Sequence, residues 1–299
     1  MTTHVFIVGL PRTGTGLMRY VLNASPDVGL GGESRFLPAH RRLGLVRRAG
    51  FGELAMPVSI AATEELVDRA VERVYDRRAP AFWRKLAARV SRHEFRGAFA
   101  ATDRTRRDLL DLGLAYYAVD KRVRGEKTPA HIHSVPTLLA WFPDAKVIHM
   151  LRDPRAVYVS NNRKYLRKRL PRFSRAIRSA GLGYELYSSL DMVLEWRRTM
   201  RTHALYEGAF PGRYRAFRFE DMVRRPDATI REACEFLDVT YSDAMLDQVV
   251  ANSSFLPRDA ATGFDPAATD RWRSHLHPVI ARWFRLWAGG ALTRAGYPP

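Results

Sequence analysis

Apolar positions along the chain fall either in short unbroken runs or at helical spacing, and the two patterns alternate. "VFIVGL" (5–10) is a β-branched and aromatic run that predicts a buried strand. The helix expected after it carries Leu17, Met18, Val21 and Leu22 on one face. "EELVDRAVERVY" (64–75) sets Leu66, Ala70, Val71 and Val74 on one stripe and predicts an amphipathic helix. "VPTLLAWFPDA" then predicts a helix and a turn, "KVIHMLRD" (146–153) a second strand with a charged exit, and "AVYVSNNRKYL" another helix. "YRAFRF" (214–219) predicts a further strand, followed by a helix with Ile230, Ala233, Cys234 and Leu237 facing inward. Strands alternating with helices predict an α/β fold of three layers, a mostly parallel sheet with helices on both faces. Ligands of such sheets bind beyond the carboxyl ends of the strands.

Length and composition narrow this picture. The chain has 299 residues, 46% of them hydrophobic, with no internal repeat or linker, so one domain over 1–299 is expected, with 41–120 helical. A single cysteine, Cys234, excludes an intrachain disulfide and fits a reducing compartment. Residues 1–4 lack the charged and apolar regions of a signal peptide, and no apolar run is long enough for a membrane span, so the expected location is cytoplasmic. The formal net charge of +18 predicts attraction to polyanions, whether nucleic acid, acidic peptide or a multiply phosphorylated nucleotide. Only six of the 49 basic residues are lysines, an arginine bias that base composition of the coding DNA would equally produce.

Two stretches carry candidate chemistry. In "GLPRTGTG" (9–16), Gly9, Gly14 and Gly16 allow a tight turn, and amides 12–16 point toward an anion at a helix N-terminus. Thr13 and Thr15 add hydroxyls and Arg12 adds a cation. A nucleotide-kinase loop needs Lys at 15 and Ser or Thr at 16, where this chain has Thr15 and Gly16. The second stretch, "LRDPRAVYVS" (151–160), sets Arg152 at a strand exit and Ser160 two turns along a helix, a pairing that can clasp a phosphate. Standing alone, each stretch is also compatible with an ordinary strand–turn–helix connection or a surface ion pair.

Together, in order and correctly spaced, these stretches resemble the 5′-phosphosulfate loop and 3′-phosphate motif of sulfotransferases that use PAPS (3′-phosphoadenosine 5′-phosphosulfate). "GEKTPAHIHSVPTLLAWFPDAKVIHMLRDPRAVYVS" (125–160), "FRFEDMVRRPDATIREACEFLDV" (217–239), "NSSF" (252–255) and "RWRSHL…TRAGYPP" continue the resemblance, with Phe219 where the family usually has Tyr. Residues 41–120 find no clear counterpart. Within the family, "PRTGTGLMRYVLNASPDVGLGGESRFLP" is similar to a stretch of the tyrosylprotein sulfotransferases. The resemblance implies a P-loop-like sulfotransferase fold, PAPS as donor and no metal. It implies Glu33 as catalytic base, Lys127 supporting the leaving group, Arg12 beside the sulfonate, and Ser253 or Ser254 as a late active-site serine. Cofactor contacts are implied for Arg12, Thr13, Gly14, Thr15, Gly16, Arg152, Ser160, Lys164, Ser253 and Ser254. Gly16 departs from the loop's second threonine, and Lys164 stands where an arginine is usual.

In-line sulfonate transfer depends on positioning and on stabilising charge that moves to the leaving group. A sulfonate carries less charge than a γ-phosphate, so fixed cations can replace lysine and magnesium. His40, His131 and His133 are rival bases. The acceptor remains open between a peptidyl tyrosine or other phenol and a carbohydrate, lipid or secondary-metabolite hydroxyl. The run 161–180, with eight cations and no acid, reads either as a solvated helix face or as a groove for an acidic acceptor. A basic nucleic-acid-binding protein is the reading from a different class, although no zinc-finger, basic-zipper or RNP pattern is present. A P-loop kinase is the third, and predicts ATP turnover with magnesium.

Overall fold

A computed structural model describes residues 2–37, 63–166, 181–247 and 263–298. Five strands form one sheet: β1 (Thr3–Gly9), β2 (Val28–Gly31), β3 (Val123–Lys127), β4 (Lys146–Leu151) and β5 (Tyr214–Arg218). Their order is β2-β3-β1-β4-β5 and every pairing is parallel. The chain leaves β1 toward one edge and later returns past it to the other. The crevice beside β1 is therefore the switch point where such sheets bind ligands.

Alternation along β1 puts the two covering layers in place. Phe6 and Val8 face a core built with α2 (Glu64–Val74), α3 (Ala81–Ala87), α4 (Arg92–Ala100), α5 (Arg106–Tyr117) and α6 (Val135–Trp141). Val5 and Ile7 face α1 (Thr15–Leu22) and, beyond β4 and β5, the helix over Pro226–Leu237. A third cluster joins α7 (Pro154–Leu166), α8 (Leu182–Ala209) and a late helix over Pro278–Arg294. Between β5 and the 226–237 helix (α10) lies the short α9 (Phe219–Arg224), which makes the late helix α11. The expected three-layer architecture is present. On α2 the buried stripe runs Val67, Ala70, Val71, Val74, while Leu66 only packs against its rim.

Two strands defeat the apolar-run signal. β3 reads "VRGEK" yet pairs with both β1 and β2. Its glycine explains how: a Cβ on Gly125 would stand 1.8 Å from the Val5 carbonyl oxygen. Its Glu126 is buried but partnered: Oε2 accepts from the Ser34 amide at 2.8 Å and the Thr128 hydroxyl at 2.5 Å, and Oε1 lies 2.7 Å from His131 Nδ1.

Candidate active site

Consecutive strand ends deliver one candidate side chain each. Glu33 follows β2 by two residues, Lys127 closes β3, Arg12 follows β1, and Arg152 follows β4 directly. Phe219, one residue past β5, completes the row. Lys127 Nζ donates to Glu33 Oε1 at 3.0 Å, and Arg35 donates to the other carboxylate oxygen through Nε at 3.1 Å and Nη2 at 2.9 Å. Burial pushes the Glu33 carboxyl up, but the Lys127 and Arg35 cations outweigh it and hold the group below its ordinary value.

The loop bearing Glu33 is anchored by Glu126, Thr128 and Trp83, which no motif singled out, and by His131, named above only as a rival base. Besides the Ser34–Glu126 contact, the Ser34 amide donates to Thr128 Oγ1 at 3.1 Å, the Leu37 amide to His131 Nε2 at 3.1 Å, and the Trp83 indole to the Ser34 carbonyl at 3.0 Å. His131 therefore faces an amide with one nitrogen and a carboxylate with the other. His133 Nε2 lies 3.1 Å from Glu195 Oε1. For Glu126 and Thr128 the sequence signal was the polar content of "GEKTPAHIH", inside a stretch that the strand pairing needs buried.

At the glycine loop, Thr13 bonds back to the Leu10 carbonyl through Oγ1 at 2.7 Å, and Gly14 starts α1 at φ 95°. A Cβ on Gly14 would stand 2.6 Å from the Phe219 ring, so that turn requires glycine, whereas one on Gly16 would meet nothing within 4 Å. Thr15 is buried as the first residue of α1, whose N-cap has no side-chain hydrogen bond. Arg12 adopts φ 78° and Arg35 φ 51°, left-handed conformations that cost a non-glycine residue energy and are held by their surroundings.

Arg12 and Ser160 are brought together directly, with Arg12 Nε donating to Ser160 Oγ at 3.0 Å. Arg152 reaches the same place from behind, donating Nη1 to the Arg12 carbonyl at 3.0 Å and Nη2 to the Ala268 carbonyl at 2.9 Å. Its guanidinium carbon lies 3.9 Å from the Phe219 ring centroid. Burial pushes Arg152 down to about 10, still charged at neutral pH, and lowers Arg12 as well. Among the described residues the buried Nε of Arg152 has no hydrogen-bond partner. Ser253, Ser254 and His40 lie outside the described residues, as do the side chain of Lys164 and most of 161–180.

In front of Glu33 and Lys127 is an open cleft of about 610 Å³, walled by Arg35, by Arg73 of α2, by Asp76, Arg78 and Pro80 of the α2–α3 turn, and by Arg84 of α3. Among the described residues no group of three or more His, Cys, Asp or Glu side chains could hold a metal ion.

A parallel sheet with a glycine loop at its switch point and a cation-bound carboxylate beside it defines an α/β fold with a polar site at the carboxyl ends of its strands. A family model described as the sulfotransferase family matches residues 4–243, and the chain belongs to that family. It is 26% identical over 242 residues to a putative protein-tyrosine sulfotransferase of Caenorhabditis briggsae, covering 81% of this chain and 68% of that one. Against protein-tyrosine sulfotransferase 1 of Danio rerio the identity is 27% over 247 residues, covering 81% and 55%. The chain thus spans little more than half to two thirds of these relatives. The sulfotransferase domain of the Synechococcus PCC 7002 olefin synthase has the same fold, with a TM-score of 0.57 at 19% identity, covering 95% and 94% of the two chains.

Proposed function

We propose that this protein transfers the sulfonate of PAPS to a hydroxyl of an anionic acceptor, without a metal. The observation that carries the reading is the Glu33–Lys127 pair at 3.0 Å, at the ends of β2 and β3, facing an open cleft. The residues present fit a nucleotide with two separate anionic groups: an uncapped helix N-terminus, the Arg12–Ser160 contact, and a buried, charged Arg152 with an unpartnered Nε. When bound, PAPS supplies an activated sulfonate and a phosphate leaving group.

The roles of the chain's own residues follow from their surroundings. Glu33, ionised near neutrality, accepts the acceptor's hydroxyl proton as the new S–O bond forms. Lys127 and Arg12 offset the charge that moves to the departing oxygen. Thr13, Gly14, Thr15 and Gly16 present amides to the 5′ side, and Arg152, Ser160 and Lys164 hold the 3′-phosphate, with Ser253 and Ser254 as further contacts. Neither His131, engaged at both nitrogens, nor His133, beside Glu195, is as well disposed as Glu33 to take a proton from the cleft.

Arg35, Arg73, Arg78 and Arg84 around the cleft favour an acceptor whose hydroxyl neighbours carboxylates or other anions, such as a tyrosine in an acidic peptide. The named activity of the protein-tyrosine sulfotransferases is consistent with this. The single buried Cys234 accords with a reducing, cytoplasmic setting. A thermal-shift comparison of 3′,5′-bisphosphoadenosine with ATP and magnesium tests the donor. The expected result is stabilisation by the former alone, and stabilisation only by ATP with magnesium would contradict it.

A further inference from the structure

The late helix α11 is amphipathic in an unusual sense. Ile280, Phe284, Ala288 and Leu292 are buried against α7 and α8, as a packed helix requires. The opposite face, at the same helical spacing, is Val279, Arg282, Trp283, Leu286 and Trp287. Leu286 is 75% exposed, and Trp287 and Val279 are each 44% exposed. The Trp283 and Trp287 rings lie beside each other, tilted by 53°, with centroids 5.5 Å apart. Arg197 of α8 donates to the Trp287 carbonyl at 3.2 Å, which sets α8 beside this face, and Leu194, one turn earlier, adds another exposed apolar side chain. Arg282 and Arg285 flank the patch, and α11 holds three arginines and no acidic residue.

We propose that this face docks on an anionic lipid surface, with α11 lying in the plane of the headgroups. Indole rings and a leucine interleaved with arginines suit that boundary, where rings and aliphatic chains sink among the acyl groups and guanidiniums meet lipid phosphates. The net charge of +18 adds long-range attraction to the same surface. A second copy of the chain fits less well: a two-fold contact through this face would set its arginines against their own copies without carboxylates on α11 to match them. Nucleic acid would use the cations and leave Val279, Leu286 and Leu194 in water. The helix is too short and too charged to cross a membrane, and no described helix is long and apolar enough to do so.

The proposal is independent of the transfer reading, since its test reads binding and not turnover. The full chain is floated with vesicles of phosphatidylcholine alone and of phosphatidylcholine with phosphatidylglycerol. Alongside it runs the double variant Leu286→Ser/Trp287→Ser, which keeps every charge and alters only exposed side chains. The expected result is binding to the anionic vesicles with a blue shift of tryptophan emission, little binding to the neutral ones, and affinity about tenfold or more lower in the double variant. Undiminished binding by the double variant would reduce the effect to bulk charge and overturn the proposal, as would absence of binding by the wild type. Dimerisation of the wild type that the double variant abolishes would overturn it too, by assigning the face to self-association.

Discussion

A carboxylate held by two cations is a poor base until one of them finds another anion. Glu33 is so held by Lys127 and Arg35, and only Lys127 is in the proposed role of serving the leaving group as well. Glu33 is the active form when ionised and its pKa is lowered, so kcat/KM should stay level from neutral pH down to the ordinary carboxylate range. It should fall only as pH drops through the lowered value. Arg35→Gln removes one of the lowering cations and should move that acid limb to higher pH, as a pH–rate profile reads directly. An unmoved limb would assign the limb to another group. Gly16 offers a second test at this scale. Space beside it is open, so Gly16→Thr should fold normally and tighten 3′,5′-bisphosphoadenosine binding by about 0.5–1.5 kcal/mol, the worth of one added hydrogen bond, measurable by calorimetry. Arg152→Ala should cost about 1.5–3 kcal/mol of nucleotide affinity, and should also lower Tm, because the same guanidinium ties the loop to Ala268.

Elements announced by their own apolar pattern were legible in the sequence, and those whose burial depends on partners were not. β1, β4, β5, α1, α2, α7 and α10 all fall where runs and stripes predict them. β2 and β3 escape notice because half of their inward surface is glycine, backbone or a satisfied polar group. Their absence hid the reason why Glu33 and Lys127 are neighbours, although the motif resemblance singled out both residues. The buried Glu126 is the clearest case: a carboxylate mid-sheet is intelligible only once Ser34, Thr128 and His131 are seen around it. Two consequences follow at this scale. Gly125→Ala should destabilise the protein by about 3 kcal/mol or more in chemical denaturation, since β1 and β3 cannot both stay in place. Burial pushes Glu126 up, but His131, Thr128 and the Ser34 amide together lower it. Its contribution to stability is therefore complete above the unfolded carboxylate pKa and is lost as pH falls through the lowered folded value. Glu126→Gln should lower Tm at neutral pH and flatten its fall in acid.

For the whole molecule, the +18 charge has two separable consequences. On the proposed reading it attracts the anionic nucleotide and acceptor, so association rates should fall with ionic strength while the chemical step does not. It also frames the division of labour in the fold, with five strand ends supplying the site, the α2–α3 turn supplying an arginine-lined wall, and α8 with α11 forming a separate outer face. Residues 73–84, from a region with no clear counterpart among the sequence motifs, line the cleft in front of Glu33 and Lys127. Metal-free sulfonate transfer with Glu33 as base is testable in a single-turnover assay with PAPS and an acidic tyrosine peptide, in excess chelator. Wild type should give sulfonated peptide and 3′,5′-bisphosphoadenosine in equal amounts, and Glu33→Ala should give neither while still binding the nucleotide. Full turnover by Glu33→Ala, or turnover by wild type only when magnesium is restored, would contradict it.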